Sequence, residues 1–382
     1  MHLHGWVAVI QTPVRALLLS LLLVSLGGCA AIARDGPEAR QEVVFFPSVA
    51  SVADGNQWLL TLQGRVHTPA EHNAVRQTLI DVLASRLRAD KDDKLYRERA
   101  GYFVSDSSRN TRVSVALGNR VIPLSLSNAA GYFSTDIMVT QTEAAQLAQD
   151  GVISFASAPT AANARRFDGT VRLIPEAGLT VITDIDDTIK VTHILDAKEK
   201  EANTFVRPFV AVPGMSELYR SWQKALGERI HFHVVSAGPW QFHQPLRQFF
   251  TQAEFPAFTW DMRSIDIGGN ILVDVLEAHP APQKIHDHKV AKIRAFMTRF
   301  PRRSVVLVGD SGERDPEVYA AILSAFPQRV QAVFIRDVTN QDRTHPRYQH
   351  LFQGDAAQKL QVFRDPAALP PLSSVAGGNP LK

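Results

Sequence analysis

The stretch LTVITDIDDT, residues 179–188, decides the fold that we predict for the second half of this 382-residue chain. Residues 179–183 are apolar or β-branched, and a run of this kind and length is typical of a buried strand. Carboxylates and a hydroxyl follow at once, at Asp184, Asp186, Asp187 and Thr188. Because ligands of parallel sheets bind beyond the carboxyl ends of the strands, this order predicts a functional site directly after the strand.

Outward from this stretch, apolar runs of strand length alternate with helical patterns. The further runs lie at residues 230–235, 304–308 and 330–335, and the helical patterns at 215–226, 240–251, 288–300 and 315–326. This alternation predicts an α/β fold, a Rossmann-like doubly wound parallel sheet with helices on both faces. We place this domain at residues 176–364.

More polar side chains stand at the ends of the other predicted strands or at the start of the intervening helix. They are Ser236 with Ala237 behind it, Lys289, Asp310 and Asp315. Since the carboxyl ends of parallel strands share one edge of the sheet, these residues are expected to meet the acidic turn there.

These residue types suit phosphoryl transfer. A carboxylate can attack phosphorus and form a covalent intermediate, which is the role expected of Asp184. An extended backbone brings Asp186 back to the same side two residues later, where it can protonate the leaving oxygen and then activate water. Lys289 is expected to neutralise the charge that develops in the reaction.

A divalent cation is also expected, because several carboxylates this close together repel one another. Mg²⁺, bound by carboxylates, phosphate and water, meets that requirement. The predicted magnesium ligands are Asp184, Asp186 and Asp310, with Asp315 acting through water or orienting the loop.

Phosphate oxygens need hydrogen-bond donors, and the predicted site supplies them. Thr188 and Ser236 offer hydroxyls, and Ala237 is included beside Ser236 among the substrate-binding positions. Arg336 follows a strand end, where it can hold a phosphate or pair with the aspartate after it.

In order and placement, these residues resemble the motif set of the haloacid dehalogenase superfamily. The elements are Asp-x-Asp-x-Thr at 184–188, a strand-terminal serine at 236, a lysine at 289 and Gly-Asp-x-x-x-x-Asp at 309–315. Ordinary acidic turns give no reason for four such elements in this order. The resemblance implies a sheet of the haloacid dehalogenase type, and an aspartate at 186 favours a phosphatase over a dehalogenase.

Longer strings resemble a narrower group, the actin-patch phosphatidate phosphatase family. They are TDIDDTIK at 183–190, NTF at 203–205, VPGM at 212–215, PWQ at 239–241, GDSGERDPE at 309–317 and IRDVT at 335–339. This resemblance covers residues 179–347. It implies a magnesium-dependent enzyme that removes phosphate from phosphatidate and related lipid phosphates. Ala237 and Gly238 depart from the bulkier or more polar pair expected after the serine, which bears on the substrate pocket.

Other polar and aromatic residues have both a structural and a functional interpretation. Asp187 is expected to cap the following turn rather than to bind metal. The histidines at 231, 233, 243, 286 and 288 lack a third ligand at zinc-like spacing, so they are expected in the core or at the surface. Trp240 either packs in the core or stacks on a substrate, and the core is the expected place.

The N-terminus resembles a bacterial lipoprotein signal. Arg15 precedes an uncharged apolar run at residues 16–26, long enough for a signal-peptide core and short for a spanning helix. The run ends in LGGC, so residues 1–28 are expected to be removed and Cys29 to be acylated. An uncleaved anchor is the alternative. Either way, an extracytoplasmic protein on a membrane is expected, and Ala30 favours the outer membrane facing the periplasm.

The regions on either side of the α/β domain differ from it in texture. Residues 29–42 are small and polar and are predicted to be a linker, and residues 365–382, rich in Pro, Ser and Gly, are predicted to be disordered. A β-sandwich-like domain is expected at 43–175, from strand patterns at 58–66, 113–117 and 131–139.

One helix is expected in that β-rich domain, at residues 74–87. Its predicted buried face consists of Val75, Leu79, Val82, Leu83 and Leu87.

Composition and inserts limit the possible functions. A formal net charge of +3, with both signs mixed, argues against nucleic acid, and a single cysteine excludes an internal disulfide. Short inserts at 192–213 and 255–287 leave the predicted site thinly covered, which suits a lipid head group at a membrane but also a phosphoprotein.

Three functions therefore stay open. They are a lipid phosphate phosphatase with phosphatidate as the favoured substrate, an extracytoplasmic phosphatase for soluble or protein phosphomonoesters, and a non-catalytic lipid- or protein-binding lipoprotein. The presence of both Asp184 and Asp186 argues against the third.

Overall fold

The structure is a computed structural model that describes residues 33–265 and 281–375. The predicted signal segment, Cys29, residues 266–280 and residues 376–382 lie outside the described residues. Among the helices that are described, none combines the length and the apolar character needed to cross a bilayer. From Arg34 onward, the chain forms one compact unit.

Strands dominate the first part of the described chain, as predicted. Eleven of them, counted within the described residues, form one mixed sheet. They are β1 (Arg34–Asp35), β2 (Glu42–Phe46), β3 (Ser48–Ala53), β4 (Gln57–Thr68), β5 (Asp106–Ser107), β6 (Thr111–Leu117), β7 (Arg120–Leu126), β8 (Tyr132–Thr140), β9 (Ala148–Gln149), β10 (Val152–Ser157) and β11 (Asp168–Leu173).

This first sheet is curled. Its main path is β1-β6-β10-β11-β3-β4-β2, with β7 beside β6 and β8 beside β4. Although β7 and β8 lie far apart along this path, the Ser125 N–H donates to Thr135 Oγ1 at 2.7 Å and joins them. One curled sheet therefore takes the place of the two stacked sheets of the predicted sandwich, because the parallel pairing of β3 with β11 links the two halves by hydrogen bonds.

Three described helices accompany the curled sheet: α1 (Ala74–Leu87), α2 (Lys94–Phe103) and α3 (Gln141–Leu147). The bounds of α1 are those predicted. It begins after Asn73, whose side-chain oxygen accepts hydrogen bonds from the N–H groups of Val75 and Arg76. Asn is a preferred residue at this position because it satisfies N–H groups that lack a helical partner.

The predicted buried face of α1 is partly wrong. Leu83 is buried, but Val75 and Val82 are exposed, and Arg76 is buried in place of a valine. The Arg76 guanidinium pairs with Asp106 at 2.6 Å. A prediction from the spacing of apolar residues does not count a buried arginine. The predicted buried face of α1 is therefore rotated about the helix axis relative to the observed one.

The second sheet has six described strands, all parallel, as predicted for the α/β region. They are β12 (Gly178–Thr183), β13 (Ile230–Pro239), β14 (Phe258–Arg263), β15 (Arg303–Asp310), β16 (Val330–Arg336) and β17 (Leu360–Phe363). All six residues of β12 are buried, because a central strand covered on both faces has no solvent side.

The strand order of this sheet is β14-β13-β12-β15-β16-β17. The chain moves outward from β12 on one side and then crosses to β15 on the other. Such a reversal leaves a crevice beyond the carboxyl ends of the two central strands, which is where ligands of open parallel sheets bind.

Helices cover both faces of the parallel sheet. The described ones are α4 (Ala197–Phe205), α5 (Met215–Leu226), α6 (His243–Gln252), α7 (Pro282–Arg299), α8 (Asp315–Ala325), α9 (Pro346–Leu351), α10 (Asp355–Lys359) and α11 (Leu372–Val375). Val181 packs in one core with Tyr219 of α5, whereas Ile182 packs in another with Ile293 of α7 and Ile322 of α8. The predicted mixed α/β architecture is confirmed.

Several boundaries differ from the prediction. The helix predicted at 288–300 begins earlier, at Pro282, a residue suited to the first helical turn. The segment 255–287, predicted as an insert, contains the sheet strand β14, and the short insert 192–213 contains α4. The strand β17 was not predicted.

The segments predicted as linker and disordered tail hold structure where they are described. β1, within the predicted linker, pairs with β6. In the tail, Leu372 is fully buried, and Trp222 Nε1 donates to the carbonyl of Pro370 at 3.4 Å. A Pro-rich composition lowers regular structure but does not prevent single apolar side chains from packing, so composition alone gave the wrong result here.

The two sheets pack against each other through aromatic rings and one arginine. The ring of Phe46 in β2 stacks on Trp240 with centroids 3.9 Å apart, so Trp240 lies in the core. At the end of α7, Arg299 donates to Ser51 Oγ and to the carbonyls of Val49 and Leu59. The helix that carries Lys289 is thereby fixed to the curled sheet.

Candidate functional site

The acidic turn after β12 is held against β15. The Asp184 N–H donates to the carbonyl of Val308 at 3.0 Å, and the Lys190 N–H donates back to Ile185 at 3.0 Å. Asp187 adopts a left-handed conformation, with φ of 51°, and closes the turn. The backbone therefore stops and folds back at the carboxyl edge of the sheet, which keeps the first aspartates of the turn there.

Three carboxylates from different elements meet at this edge. One oxygen each of Asp184, Asp310 and Asp315 lies within 4.8 Å of the others, and the three residues are at most 2% exposed. Gly309 allows this approach, because a Cβ at that position would lie 2.3 Å from Asp315 Oδ2. The structure thus brings together three of the four predicted metal ligands.

Lys289 supplies the positive charge of this cluster. Its Nζ lies 2.9 Å from Asp184 Oδ1, 2.5 Å from Asp315 Oδ1 and 3.9 Å from Glu313 Oε2. Burial alone lowers the pKa of Lys289, but the surrounding carboxylates outweigh it and raise the pKa well above its ordinary value. The ammonium group therefore stays charged.

The acids of the cluster are hard to ionise together. Burial raises the pKa of Asp184 well above its ordinary value, and repulsion from Asp315 and Glu313 adds to this against the attraction of Lys289. Burial and the neighbouring carboxylates of Asp315 and Asp184 likewise raise the pKa of Asp310. A single ammonium does not offset this concentration of negative charge.

Two oxygens of the cluster fit a divalent cation. Asp184 Oδ2 and Asp310 Oδ2 are buried and have no hydrogen-bond partner among the described residues. Both oxygens of Asp315 are engaged, Oδ1 by Lys289 and Oδ2 by the Asp310 N–H at 3.3 Å. Close, buried carboxylate oxygens without donors are the ligands that hard divalent cations prefer. Asp315 is thus placed to orient the cluster.

The Asp186 carboxylate lies beside the cluster, not in the three-carboxylate group. Its Oδ1 accepts a hydrogen bond from Thr192 Oγ1 at 2.6 Å and lies 2.9 Å from Lys190 Nζ. Burial raises the pKa of Asp186, but Lys190 and Thr192 together lower it below its ordinary value. The side chain is 28% exposed and lines the cleft beside Asp184, a place that suits proton transfer better than metal binding.

Some of the predicted phosphate-binding residues line the cleft and others do not. Ser236 and Ala237 line the same cleft as Asp184, and Ser236 Oγ accepts a hydrogen bond from the Gly238 N–H at 3.0 Å. The Thr188 hydroxyl is fully buried, has no partner among the described residues, and does not line the cleft.

Asp187 and Arg336 hold the loop that follows the acidic turn. The Asp187 carboxylate accepts hydrogen bonds from the N–H groups of Thr192, His193 and Ile194, at 2.8, 2.9 and 2.6 Å. Arg336 donates to the Asp187 carbonyl at 2.6 Å and does not line the cleft. The structure gives Arg336 a positioning contact, whereas the sequence predicted a substrate contact.

The histidines form no metal site within the described residues. His231 Nε2 and His233 Nδ1 both lie 2.8 Å from Thr259 Oγ1, and His233 Nε2 lies 3.4 Å from Asp261. The acidic cluster is the one group of three or more ligand-type side chains found there.

The site opens into a cleft of about 1110 Å³, counting its open part. Its polar lining includes Asp184, Asp186, Ser236, Glu313, Lys190 and Lys200. The rest of the lining is largely apolar and includes Ile194, Phe205, Phe209, Leu246, Met262 and Ile285. The cleft therefore offers both carboxylates and apolar surface to a ligand.

Sequence reasoning missed two charged residues of the site, Glu313 and Lys190. Burial raises the pKa of Glu313, which faces Lys289 from within the GDSGERD stretch. Lys190 contacts Asp186 from within the TDIDDTIK stretch. Both residues lie within motifs in which other residues were predicted to act in the site. Their charge and their place inside these motifs could have identified them.

A comparison with known protein families indicates the class of protein to which this region is similar. The family model described as "Phosphatidate phosphatase APP1, catalytic domain" matches residues 179–337. The matched segment runs from β12 to the residue after β16, so it contains Asp184, Asp186, Ser236, Lys289 and Asp310 and excludes the whole curled sheet. This part of the chain is similar to a phosphatase catalytic domain.

Two individual relatives match about half of the chain each. An uncharacterised protein of Schizosaccharomyces pombe is 32% identical over 173 residues, which is 44% of this chain and 26% of that protein. Phosphatidate phosphatase APP1 of Saccharomyces cerevisiae is 26% identical over 192 residues, 50% of this chain and 31% of that protein. The matches thus span between a quarter and a third of the length of these curated relatives.

Proposed function

We propose that this chain is a magnesium-dependent phosphatase that hydrolyses phosphatidate or a related lipid phosphate through a covalent aspartyl-phosphate on Asp184. The observation that carries the proposal is the meeting of Asp184, Lys289 and Asp310 at the carboxyl edge of the parallel sheet. The strand order and the order of the motifs support assignment of this region to the haloacid dehalogenase superfamily.

Asp184 is the proposed nucleophile. Its Oδ2 has no hydrogen-bond partner among the described residues, while Lys289 holds Oδ1 at 2.9 Å and fixes the carboxylate. Attack by a carboxylate oxygen of Asp184 forms a new oxygen–phosphorus bond as the bond from phosphorus to the alcohol oxygen breaks. The departing alkoxide takes the proton of Asp186, and Asp186 then accepts a proton from the water that hydrolyses the acyl phosphate.

Asp186 must be protonated for the first step, although its contacts with Lys190 and Thr192 favour the carboxylate. Lys190 and Lys200 both line the cleft, so an entering phosphate competes with Asp186 for these cations. That competition weakens the pull on the carboxylate and favours its protonated form.

Mg²⁺, held by Asp184 and Asp310 and oriented through Asp315, would neutralise phosphate charge in this site. Ser236 is placed to donate its hydroxyl hydrogen to a phosphate oxygen, because it lines the cleft beside Asp184. The positive charge of Lys289 stabilises negative charge at Asp184 throughout the reaction.

The substrate class rests on the cleft. A soluble sugar phosphate or nucleotide would leave much of the apolar lining against water, whereas the alkyl chains of a lipid phosphate would cover it. The similarity to the phosphatidate phosphatase of Saccharomyces cerevisiae supports the same class of substrate.

The test is phosphate release by the purified chain with Mg²⁺, comparing phosphatidate in mixed micelles with glucose 6-phosphate and a nucleoside monophosphate. Phosphatidate is expected to give the highest kcat/KM. Asp184→Asn should lower turnover by roughly 10⁴-fold or more, as loss of a covalent nucleophile does. EDTA should stop the reaction and Mg²⁺ should restore it.

The control is Asp54→Asn, a change of the same kind at an exposed position outside the cleft, which should keep full activity. A preference for the soluble phosphates would replace the lipid substrate with a soluble one. Absence of hydrolysis of all three substrates would favour a non-catalytic binding protein.

We also propose that the protein is held at a membrane, outside the cytoplasm, by a lipid on Cys29. The apolar run followed by LGGC motivates this, and Cys29 lies outside the described residues. A tethered enzyme with an apolar cleft would meet its substrate in the same bilayer.

A further inference from the structure

Two helices outside the matched segment line the candidate active site. Leu83, Arg86 and Leu87 of α1 and Phe103 of α2 belong to the same cleft lining as Asp184. These residues precede the matched segment, which begins at residue 179, by some distance along the chain. The helical pair is thus part of the site although it belongs to the β-rich region.

Phe103 anchors the helical pair to the α/β region through aromatic contacts. Its ring centroid lies 5.5 Å from that of Phe205 on α4 and 5.6 Å from that of Phe242, and Phe205 and Phe242 are 5.4 Å apart. Three separate parts of the chain therefore contribute one ring each to a common aromatic wall, and all three rings line the cleft.

Polar contacts fix the position of this wall. Arg99 of α2 donates to the carbonyls of Thr204 and Arg207 at the end of α4, at 3.1 and 2.5 Å. Arg86 of α1 lies 3.2 Å from Glu201 of α4. Because α1 and α2 are joined to α4 at both points, the apolar wall has a defined place beside the acidic cluster.

Among the apolar residues that α1 and α2 contribute to the cleft, Leu87 presents the most surface to a ligand. It is half-buried, whereas Leu83 and Phe103 are almost completely buried. Arg86, next to it, is exposed and lines the same cleft. Leu87 therefore presents apolar surface to the cleft that a substrate chain can contact.

We propose that α1 and α2 form the wall that binds the apolar chain of the substrate, with Leu87 and Phe103 as specificity-determining residues. This rests on the proposed function and names the part of the molecule that selects a phosphate monoester with an alkyl chain. The β-rich region thereby acts in substrate choice, and the parallel sheet supplies the reactive groups.

The experiment compares butyl phosphate with octyl phosphate, both below the concentration at which octyl phosphate forms micelles. Each methylene buried on the wall should raise kcat/KM by up to about fourfold. The ratio of kcat/KM for octyl over butyl phosphate therefore measures the wall and cancels the effects common to both substrates.

Leu87→Gln should lower this ratio roughly tenfold, because a polar amide replaces an apolar contact. The matched control is Val82→Gln on the same helix. Val82 is 44% exposed and does not line the cleft, so the octyl-to-butyl ratio of this variant should equal that of the unchanged protein. Leu87→Ala, with a smaller expected loss, replaces the glutamine variant if circular dichroism shows that the latter is unfolded.

Equal kcat/KM for butyl and octyl phosphate in the unchanged protein would overturn the wall as a chain-binding surface. A preference for octyl phosphate that survives both Leu87→Gln and Leu87→Ala would overturn its assignment to α1. If neither ester is hydrolysed, the proposed function fails. The affinities of butyl and octyl phosphate for the same variants, measured by calorimetry, then test the wall, and the ratio of the two affinities takes the place of the kcat/KM ratio.

Discussion

At the scale of single residues, Asp187 shows how one carboxylate organises the site without taking part in chemistry. It accepts three backbone hydrogen bonds from residues 192–194 and is 5% exposed. Its own left-handed backbone makes the turn that separates Asp186 from this loop. The side chain therefore sets the position of Thr192, which in turn bonds to Asp186.

Asp187→Ala should lower the free energy of unfolding by roughly 3 kcal/mol, because three backbone N–H groups, of which that of Thr192 is buried, lose their acceptor. Asp187→Asn should lower the free energy of unfolding by less, since the amide oxygen can still accept some of the three hydrogen bonds. Urea unfolding of both variants measures this. A magnesium ligand would behave differently: both variants would then lose magnesium affinity, by calorimetric titration, with stability nearly unchanged.

The residues that the sequence located are those whose position follows from the strands. Asp184, Ser236 and Asp310 lie where apolar runs stop, so a parallel sheet forces them to one edge. Arg336 follows a strand end by the same logic, yet it turns to the Asp187 carbonyl. Strand ends fix where a backbone lies, and the side chain then takes whichever partner the neighbouring loop offers.

At the scale of elements, the first turn of α6 carries a histidine enclosed by aromatic rings. The ring of His243 lies 5.5 Å from that of Phe46 on β2 and 5.2 Å from that of Trp260 on β14. Neither ring nitrogen has a hydrogen-bond partner among the described residues. Burial, with a smaller effect from the charge of Arg247, lowers the pKa of His243 to about 3.

This histidine should make the packing of α6 sensitive to acid. Above pH 6.5, the ordinary pKa of His, the side chain is neutral in both folded and unfolded chains and contributes no pH dependence. Below it the unfolded chain binds a proton that the folded chain refuses, so stability falls as the pH drops toward 3. At pH 5 the expected loss from this residue is about 2 kcal/mol.

His243→Phe should remove that loss, which is measured as the difference in unfolding free energy between pH 7 and pH 5. The matched control is His350→Gln, at an exposed position on α9, which should leave the difference unchanged. An unaltered pH dependence in His243→Phe would mean that the His243 ring is protonated in the folded protein.

Elements with strong periodicity could be predicted, and short or contact-dependent ones could not. The helix α1 and the strand β12 were found almost to the residue because their apolar spacing is local. β14 carries polar residues between its apolar ones, and β17 has four residues. Both are strands through their pairing with β13 and β16. The wall formed by α1 and α2 was not predictable, since its partners Phe205 and Phe242 lie more than a hundred residues away.

At the scale of the whole molecule, the tether on Cys29 has its own test. Cys29→Ala should release the protein from the membrane fraction of a bacterial host, while its specific activity on a soluble phosphomonoester stays unchanged, because Cys29 is remote in sequence from the site. Fractionation and the mass of the mature chain measure the outcome. A variant that stays with the membrane and keeps residues 1–28 would support an uncleaved anchor in place of the lipid.

Arg299 determines where this protein can be divided. Its guanidinium lies on the same helix as Lys289, yet its bonded oxygens belong to Val49, Ser51, Leu59 and Thr61. A fragment trimmed to the boundaries of sequence similarity would keep the arginine and discard all four acceptors. Such a fragment would lose these four contacts together with the wall of α1 and α2, so a loss of activity on truncation would not by itself identify a catalytic residue in the removed part.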